Sequence, residues 1–259
     1  MKPLEVQVIK AKRILLIRNL LSPEECKIFI QMMKDGIPEP VGQPSSSYRY
    51  CERIILNLNE LATSLWMKIR TVMEEAGLLK ITSTAETSCQ GMWEADHLKK
   101  AFTLIQYKQG GHFSAHHDGV YETQENERSF WSLTMYLNDV DISQGGATKL
   151  LDPDISISSI QPSQGSALLF FQPKTLHAGE PLISGEKFLL RTDVMFQQKM
   201  DMKDRMTKEK QQAVNLYQQA VSLELEKEVN EAWHLYAKAF KIWPDIETFF
   251  SAEGNYVIN

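Results

Sequence analysis

The stretch between residues 100 and 196 most constrains the fold. AFTLIQYK, FWSLTMYLND, GATKLL, SALLFF and KFLLRTDVMF are short and rich in β-branched and aromatic residues, and the turn signals KQGG, QGG, QPSQG and ISGEK separate them. Strand-length runs in series, with no helical period between them, must bury their apolar faces on one another, which predicts a barrel or jelly roll. Hydrophobic residues make up 43% of the 259-residue chain, enough for such a core.

The flanks read differently. RILLIRNLL (13–21) is an apolar run of strand length, and SPEECKIFIQMMKDG (22–36) carries helix signals at both ends. Ser22 caps, Pro23 takes the first helical position, Glu25 closes a capping box and Gly36 stops the helix. Ile28, Phe29, Ile30, Met32 and Met33 are its expected apolar face. IPEPVGQPSSSY (37–48) reads as a loop, and LNELATSLWMKIRTVMEEAG (58–77) as a helix with Leu61, Leu65, Ile69 and Val72 at helical spacing before Gly77. After Phe196 two helical stretches follow, 205–224 and 228–242, ended by Pro244. Leu216, Ala220, Ala232, Tyr236, Ala239 and Pro244 are spaced as in a tetratricopeptide repeat, which the tail resembles in a single copy. One copy has no neighbour to stack on, so a helical hairpin is expected. The fold class is therefore α+β: flanking helices and strands over 1–99, a β core over 100–198, and a linker with a helical tail over 199–259.

The net charge of −5 lies without long single-sign blocks, which argues against a nucleic-acid or anionic-membrane binder. Cys26, Cys51 and Cys89 are isolated, forming neither a disulfide frame nor a zinc knuckle. The start MKPLEVQVIKAKR has no apolar signal region, and no apolar run reaches membrane-spanning length, so a cytoplasmic or nuclear location is expected.

Within the β region, GHFSAHHDGVY (111–121) packs His116, His117 and Asp118 together. Strand alternation sends 116 and 118 to one face and 117 to the other. His116 and Asp118 thus offer an imidazole nitrogen and a carboxylate oxygen to one metal, although His-x-Asp by itself also arises by chance. His97 lies in a polar segment, His112 in a turn and His234 in the helical tail. His177 follows an apolar strand inside the β region and can become a neighbour once the sheet rolls up. Two histidines and one carboxylate form the facial triad of non-heme Fe(II) oxygenases, whose open positions take a cosubstrate and O₂. A dicarboxylate cosubstrate also needs a cation. Lys187 and Arg191 share strand parity, so both can face the interior.

These residues together resemble the 2-oxoglutarate- and Fe(II)-dependent oxygenases of the prolyl 4-hydroxylase type. Tyr107, Gly110, Phe113, His116 and Asp118 match that family's first element. Gly145, Gly146 and Thr148 match the second, and His177, Gly179 and Lys187 the third. The resemblance covers roughly residues 10–198. It implies a double-stranded β-helix (jelly roll) with Fe(II) on His116, Asp118 and His177. It also implies 2-oxoglutarate held at its distal carboxylate by Lys187, hydrogen bonding to it from Tyr136 or Tyr107, Thr148 as a further contact, and O₂ and ascorbate as co-reactants. The implied reaction hydroxylates a protein side chain, such as a prolyl ring, or a small molecule, and releases succinate and CO₂. The ending LLRTDVMF departs from the aromatic-rich ending of collagen prolyl hydroxylases, which makes Arg191 a second candidate for the carboxylate and puts proline as the substrate in question. The loops 37–48 and 120–130 are expected lids, with Tyr121 and Arg128 as substrate contacts. Two other readings share parts of this pattern: a non-oxidative cupin-like metal barrel, and an inactive adaptor that binds a protein partner through the helical tail.

Overall fold

The computed structural model describes residues 2–83, 91–123, 126–155, 157, 159–200, 207–225, 227–244, 246 and 256–258. The chain forms two compact units, Met1–Ala76 with Ala95–Phe196, and Gly77–Glu94 with Gln197–Asn259. In chain order the strands and helices begin β1 (Glu5–Lys10), β2 (Ile14–Arg18), α1 (Pro23–Asp35), β3 (Glu39–Val41), β4 (Arg49–Asn57) and α2 (Asn59–Glu75). β5 (Lys80–Ser83), β6 (Gly91–Leu98), β7 (Ala101–Tyr107), β8 (His112–His116), β9 (Glu127–Tyr136), β10 (Thr148–Leu150) and β11 (Ser159–Ile160) follow. Then come β12 (Ala167–Phe171), β13 (His177–Gly179), β14 (Lys187–Met200), α3 (Lys208–Leu225), α4 (Val229–Ile242) and β15 (Tyr256–Ile258).

In the first unit the strand order is β1-β2-β12-β9-β14-β7-β4-β8-β13-β10-β11. β4 belongs to both halves of this sheet. Glu52–Asn57 pair with β7, whereas Arg49 and Tyr50 pair with β8, so the sheet curls over along this one strand. The result is a jelly roll. β2 and β12 are continuous apolar runs because both of their faces are covered: Ile14–Ile17 and Ala167–Phe171 are all buried. Alternation divides β12 between two environments. Leu168 and Phe170 face the interior cluster with Ile105, Tyr107, Tyr136 and Leu189. Phe171 packs outward against Trp131, ring centroids 5.5 Å apart. Each such side chain contributes about 2 kcal/mol by leaving water.

α1 begins as its sequence dictates. The Ser22 hydroxyl accepts from the Glu25 amide at 3.1 Å, and the Glu25 carboxylate accepts from the Ser22 amide at 2.7 Å. Its buried face is narrower than the five-residue face expected from sequence. Cys26, Phe29 and Met33 are buried, while Ile28 and Met32 are 53% and 41% exposed. Positions 26, 29 and 33 are spaced three and four apart and form one stripe, from which 28 and 32 are rotated by a residue each. In α2, Leu65, Ile69 and Val72 are buried and Leu61 is half-buried. The expected loop 37–48 contains strand β3, whose Glu39, Pro40 and Val41 pair with Arg53, Glu52 and Cys51. Pro40 is tolerated there because β3 pairs only with β4, on one side.

In the second unit α3 and α4 form the hairpin, and β15 pairs with β5. Ala213, Val214 and Ala239 are fully buried between the helices, and the Tyr217 ring meets Tyr236 edge-on at 5.0 Å. Cys26 and Cys51 are buried free thiols, and Cys89 lies outside the described residues. Among the described residues no helix is long and apolar enough to cross a membrane.

Candidate metal centre

The antiparallel register of β8 and β13 sets His177 directly opposite His116. Asp118 lies two residues past the end of β8, and the donor atoms of the three side chains fall within 4.8 Å of one another. Asp118 Oδ1 is 3.4 Å from His116 Nε2 and 3.8 Å from His177 Nε2. Each imidazole is already oriented. His116 Nδ1–H donates to the Ser114 carbonyl at 2.7 Å, and His177 Nδ1–H to the Thr175 carbonyl at 3.1 Å. A carbonyl can only accept, so the proton sits on Nδ1 and both Nε2 lone pairs point inward. Phe113 stacks on the His116 ring at 3.5 Å, and Phe170 meets His177 edge-on at 4.7 Å.

Protonation also suits a metal. Burial lowers the His177 pKa, which favours the neutral imidazole. Burial alone would raise that of Asp118, but the Arg191 guanidinium and the hydrogen bond from Ser132 outweigh it and hold the carboxyl well below the usual range. A charged oxygen donor and two neutral nitrogen donors, open to a cavity on one side, are the donor set a divalent first-row metal takes. His117 is exposed and reaches only the cavity rim, and His234 is exposed on α4. His112, expected in a turn, instead opens β8. Asp96, His97 and Glu127 also bring donor atoms within 4.8 Å, but Asp96 is exposed and the other two half-exposed.

The cavity beside the three donors measures about 250 Å³. β14 contributes Lys187, Leu189 and Arg191 to its wall, the alternate residues that share a face. The two cations differ in environment. Arg191 lies by the donors, its Nε 3.1 Å from Asp118 Oδ2 and its Nη2 2.8 Å from Asp193 Oδ1. Its charge is therefore already matched. Lys187 lies four residues away, ~13 Å along the strand. It is 2% exposed and donates to the Gly146 carbonyl at 2.6 Å. Among the described residues it has no carboxylate within ion-pair distance. Burial lowers its pKa to about 8, with Glu180 opposing.

The two glycines before Thr148 have a geometric reason. Gly145 and Gly146 have φ of 70° and 68°, and a Cβ on Gly146 would come within 2.7 Å of Leu182. Only glycine adopts that backbone there without strain, and it is the Gly146 carbonyl that receives Lys187. Tyr136 does not line the cavity itself. Its hydroxyl donates to Thr148 Oγ1 at 2.8 Å, and Thr148 does line it. Burial pushes the Tyr136 hydroxyl up to about 12, so it remains a donor. Tyr107 lines the same end, its ring centroid 5.2 Å from Lys187 Nζ, and burial raises its pKa as well.

Residues 102–192 match the family model described as the 2OG-Fe(II) oxygenase superfamily, a span that holds all three donors and both cations. These residues are similar to that superfamily. No curated protein matches the chain. Among solved structures, the oxygenase fold is similar to the viral collagen prolyl hydroxylase of Paramecium Bursaria Chlorella virus-1 in its 2OG complex. The TM-score is 0.52 at 21% identity, covering 74% of this chain and 99% of that one. A prolyl-4-hydroxylase of Pseudomonas putida gives 0.52 at 12% identity, over 72% and 93%. A prolyl hydroxylase from Trichoplax adhaerens, in complex with a hypoxia inducible factor peptide fragment, gives 0.50 at 14% identity, over 75% and 86%. The fold is thus that of prolyl hydroxylases.

Other expected contacts lie elsewhere in the oxygenase unit. Tyr121 and Arg128 are not among the residues lining the cavity. Lys99 Nζ sits 3.5 Å over the Tyr121 ring, and Arg128 pairs with Glu122. Gln124 and Glu125 of the expected second lid lie outside the described residues. Tyr48, the last residue of the expected first lid, does line the cavity, together with Arg49, Arg53, His117 and Gly119. Sequence reading missed the two arginines, although 49, 51 and 53 share parity along β4. It also missed Ser132, Gln172 and Asp193, which surround Asp118 and Arg191. Asp193 had a signal, lying two residues beyond Arg191 on the same face.

Proposed function

We propose that this chain is a 2-oxoglutarate-dependent dioxygenase in which His116, Asp118 and His177 hold Fe(II). The observation that carries this reading is the pairing of an oriented His-Asp-His donor set with a buried ammonium that has no carboxylate within ion-pair distance among the described residues. A dicarboxylate that chelates a metal at one end and ion-pairs at the other matches these two features, which line one cavity. When bound, Fe(II) with 2-oxoglutarate and O₂ supplies the oxidising chemistry that yields hydroxylated product, succinate and CO₂. The protein's share is placement. Lys187 takes the distal carboxylate, Thr148, backed by Tyr136, and Tyr107 donate hydrogen bonds around it, and Leu168, Phe170 and Leu189 exclude water. Leu169 and Phe171 alternate with Leu168 and Phe170 along β12 and do not line the cavity.

The prolyl hydroxylase fold and the open mouth of Tyr48, Arg49 and Arg53 lead us to place a peptide side chain first among substrates, with a small molecule second. A non-oxidative metal barrel has no use for Lys187, which separates the two readings. In anaerobic Mn(II), 2-oxoglutarate at about 100 times its Kd is expected to stabilise the protein by ~2.7 kcal/mol, read as a raised thermal midpoint. Succinate should then form only with Fe(II), 2-oxoglutarate, O₂ and a substrate all present, with ascorbate sustaining turnover. A protein that shows no midpoint shift with 2-oxoglutarate is not this enzyme.

The charge state of Lys187 adds a pH dependence with a definite sign. Only the ammonium can ion-pair, so affinity for 2-oxoglutarate is full below a pKa of about 8 and declines above it. The loss should approach ~tenfold per pH unit. Titrations of the Mn(II)-loaded protein on both sides of that value measure it, and affinity that rises with pH would contradict the role given to Lys187.

A further inference from the structure

Asp118 has two chemically equivalent oxygens, yet the structure treats them differently. Oδ1 faces both imidazole Nε2 atoms. Oδ2 is taken twice, by the Ser132 hydroxyl at 2.6 Å and by Arg191 Nε at 3.1 Å. The direction of the serine bond is forced. Ser132 Oγ accepts from Gln172 Nε2 at 3.1 Å and from Arg191 Nη2 at 3.1 Å. With both lone pairs occupied by donors, its single proton is directed to Asp118. Gln172 is oriented in turn, because its Nε2 also donates to Asp193 Oδ1 at 2.9 Å while its Oε1 accepts from Ser129 at 3.0 Å. Ser129, Ser132 and Gln172 are fully buried and Asp193 nearly so. Arg191 closes the set by donating to Asp193 at 2.8 Å.

We propose that Arg191 and Ser132, held by Gln172 and Asp193, act as a clamp on the Asp118 carboxyl group, so that it meets a metal through Oδ1 alone. The clamp rests on the reading of Asp118 as a ligand. A carboxyl group on its own turns over a broad range about its terminal torsion and can also chelate a metal with both oxygens. Capping Oδ2 removes both freedoms, which presets the donor triangle and leaves the remaining coordination positions open. The fork geometry matters as much as the charge. Nε and Nη2 of one planar group reach Asp118, Ser132 and Asp193 at once, which a lysine ammonium on a flexible stem does not reproduce. Arg191 is thus a positioning residue, and the second cation of the cavity does not compete with Lys187 for the cosubstrate.

Co(II) is the probe, because its visible d–d absorption reports coordination number and geometry without any turnover. The full chain is titrated with Co(II) as wild type, Ser132→Ala, Arg191→Met and Arg191→Lys, with circular dichroism of each metal-free protein as the folding control. Ser132→Ala and Arg191→Met are expected to weaken Co(II) binding by ~10–100-fold and to change the d–d spectrum, as the carboxyl group turns. Arg191→Lys should recover part of the affinity but not the wild-type spectrum. Ser132→Ala removes one hydroxyl and leaves Arg191 in place, so it decides the matter should Arg191→Met not fold. Unchanged affinity with an unchanged spectrum in Ser132→Ala and Arg191→Met overturns the clamp. So does tighter binding with an unchanged spectrum in Arg191→Met, which would make Arg191 merely a repelling charge. If the wild type takes up Co(II) as expected but never forms succinate, the oxygenase reading falls and the clamp stands. A wild type that binds no Co(II) sinks both.

Discussion

Asp118→Ala is expected to abolish turnover, with a loss of ~10³-fold or more, since metal-supplied stabilisation is worth several kcal/mol and each 1.4 kcal/mol is about tenfold. Asp118 is the charged member of the donor set; without it, two neutral imidazoles face the metal. Misfolding is not expected to explain the result. Arg191, which loses Asp118, keeps Asp193 at 2.8 Å, so its guanidinium is not left buried and unpaired. Three measurements check this: succinate formation, Mn(II) affinity, and the thermal midpoint of the metal-free variant. Both functional readings should collapse while the folded state survives. Full turnover in Asp118→Ala would rule out the ligand assignment.

Lys187→Met carries the second large effect, and it separates cosubstrate binding from metal binding. Methionine keeps a long apolar side chain and removes the charge. Deleting one partner of a buried charged pair costs about 3 kcal/mol, so the Kd for 2-oxoglutarate should rise ~100-fold or more. Mn(II) affinity should stay the same, because Lys187 is far from the three donors. Stability supplies a further check. Lys187 is buried with a backbone carbonyl as acceptor, and burial has already lowered its pKa to about 8. Its charge therefore opposes folding until an anion arrives, and the ligand-free Lys187→Met protein should melt no lower than wild type. Calorimetric titration in anaerobic Mn(II) measures the first effect and a thermal scan without 2-oxoglutarate the second. If the variant bound 2-oxoglutarate as tightly as wild type, the distal carboxylate would have to be held elsewhere.

Much of the fold is written in local signals. The capping box at Ser22 and Glu25, the glycine after α2 and the strand runs of β7, β9, β12 and β14 are chemistry between near neighbours, and near neighbours are what a sequence displays. Parity along β14 likewise shows that Lys187 and Arg191 share a face. It does not show what that face meets. Whether Arg191 receives a cosubstrate or a protein carboxylate depends on Asp118 approaching from another strand, which no spacing within KFLLRTDVMF contains. Tyr121 and Arg128 illustrate the same limit. Polar loop residues near a predicted metal site look like substrate contacts, yet Lys99 and Glu122 hold them outside the cavity.

Residue type and spacing by themselves determined the strand runs of the β core and the helical hairpin after Phe196. They also determined the backbone that only glycine accepts at 145 and 146. Tertiary structure decided which partners those side chains meet. It set His177 across from His116, gave one oxygen of Asp118 to Ser132 and Arg191, and left Lys187 buried with no carboxylate within ion-pair distance among the described residues. The reason is physical: backbone alternation is local and periodic, whereas the pairing of charges and the removal of water around them exist only once distant strands have closed on each other.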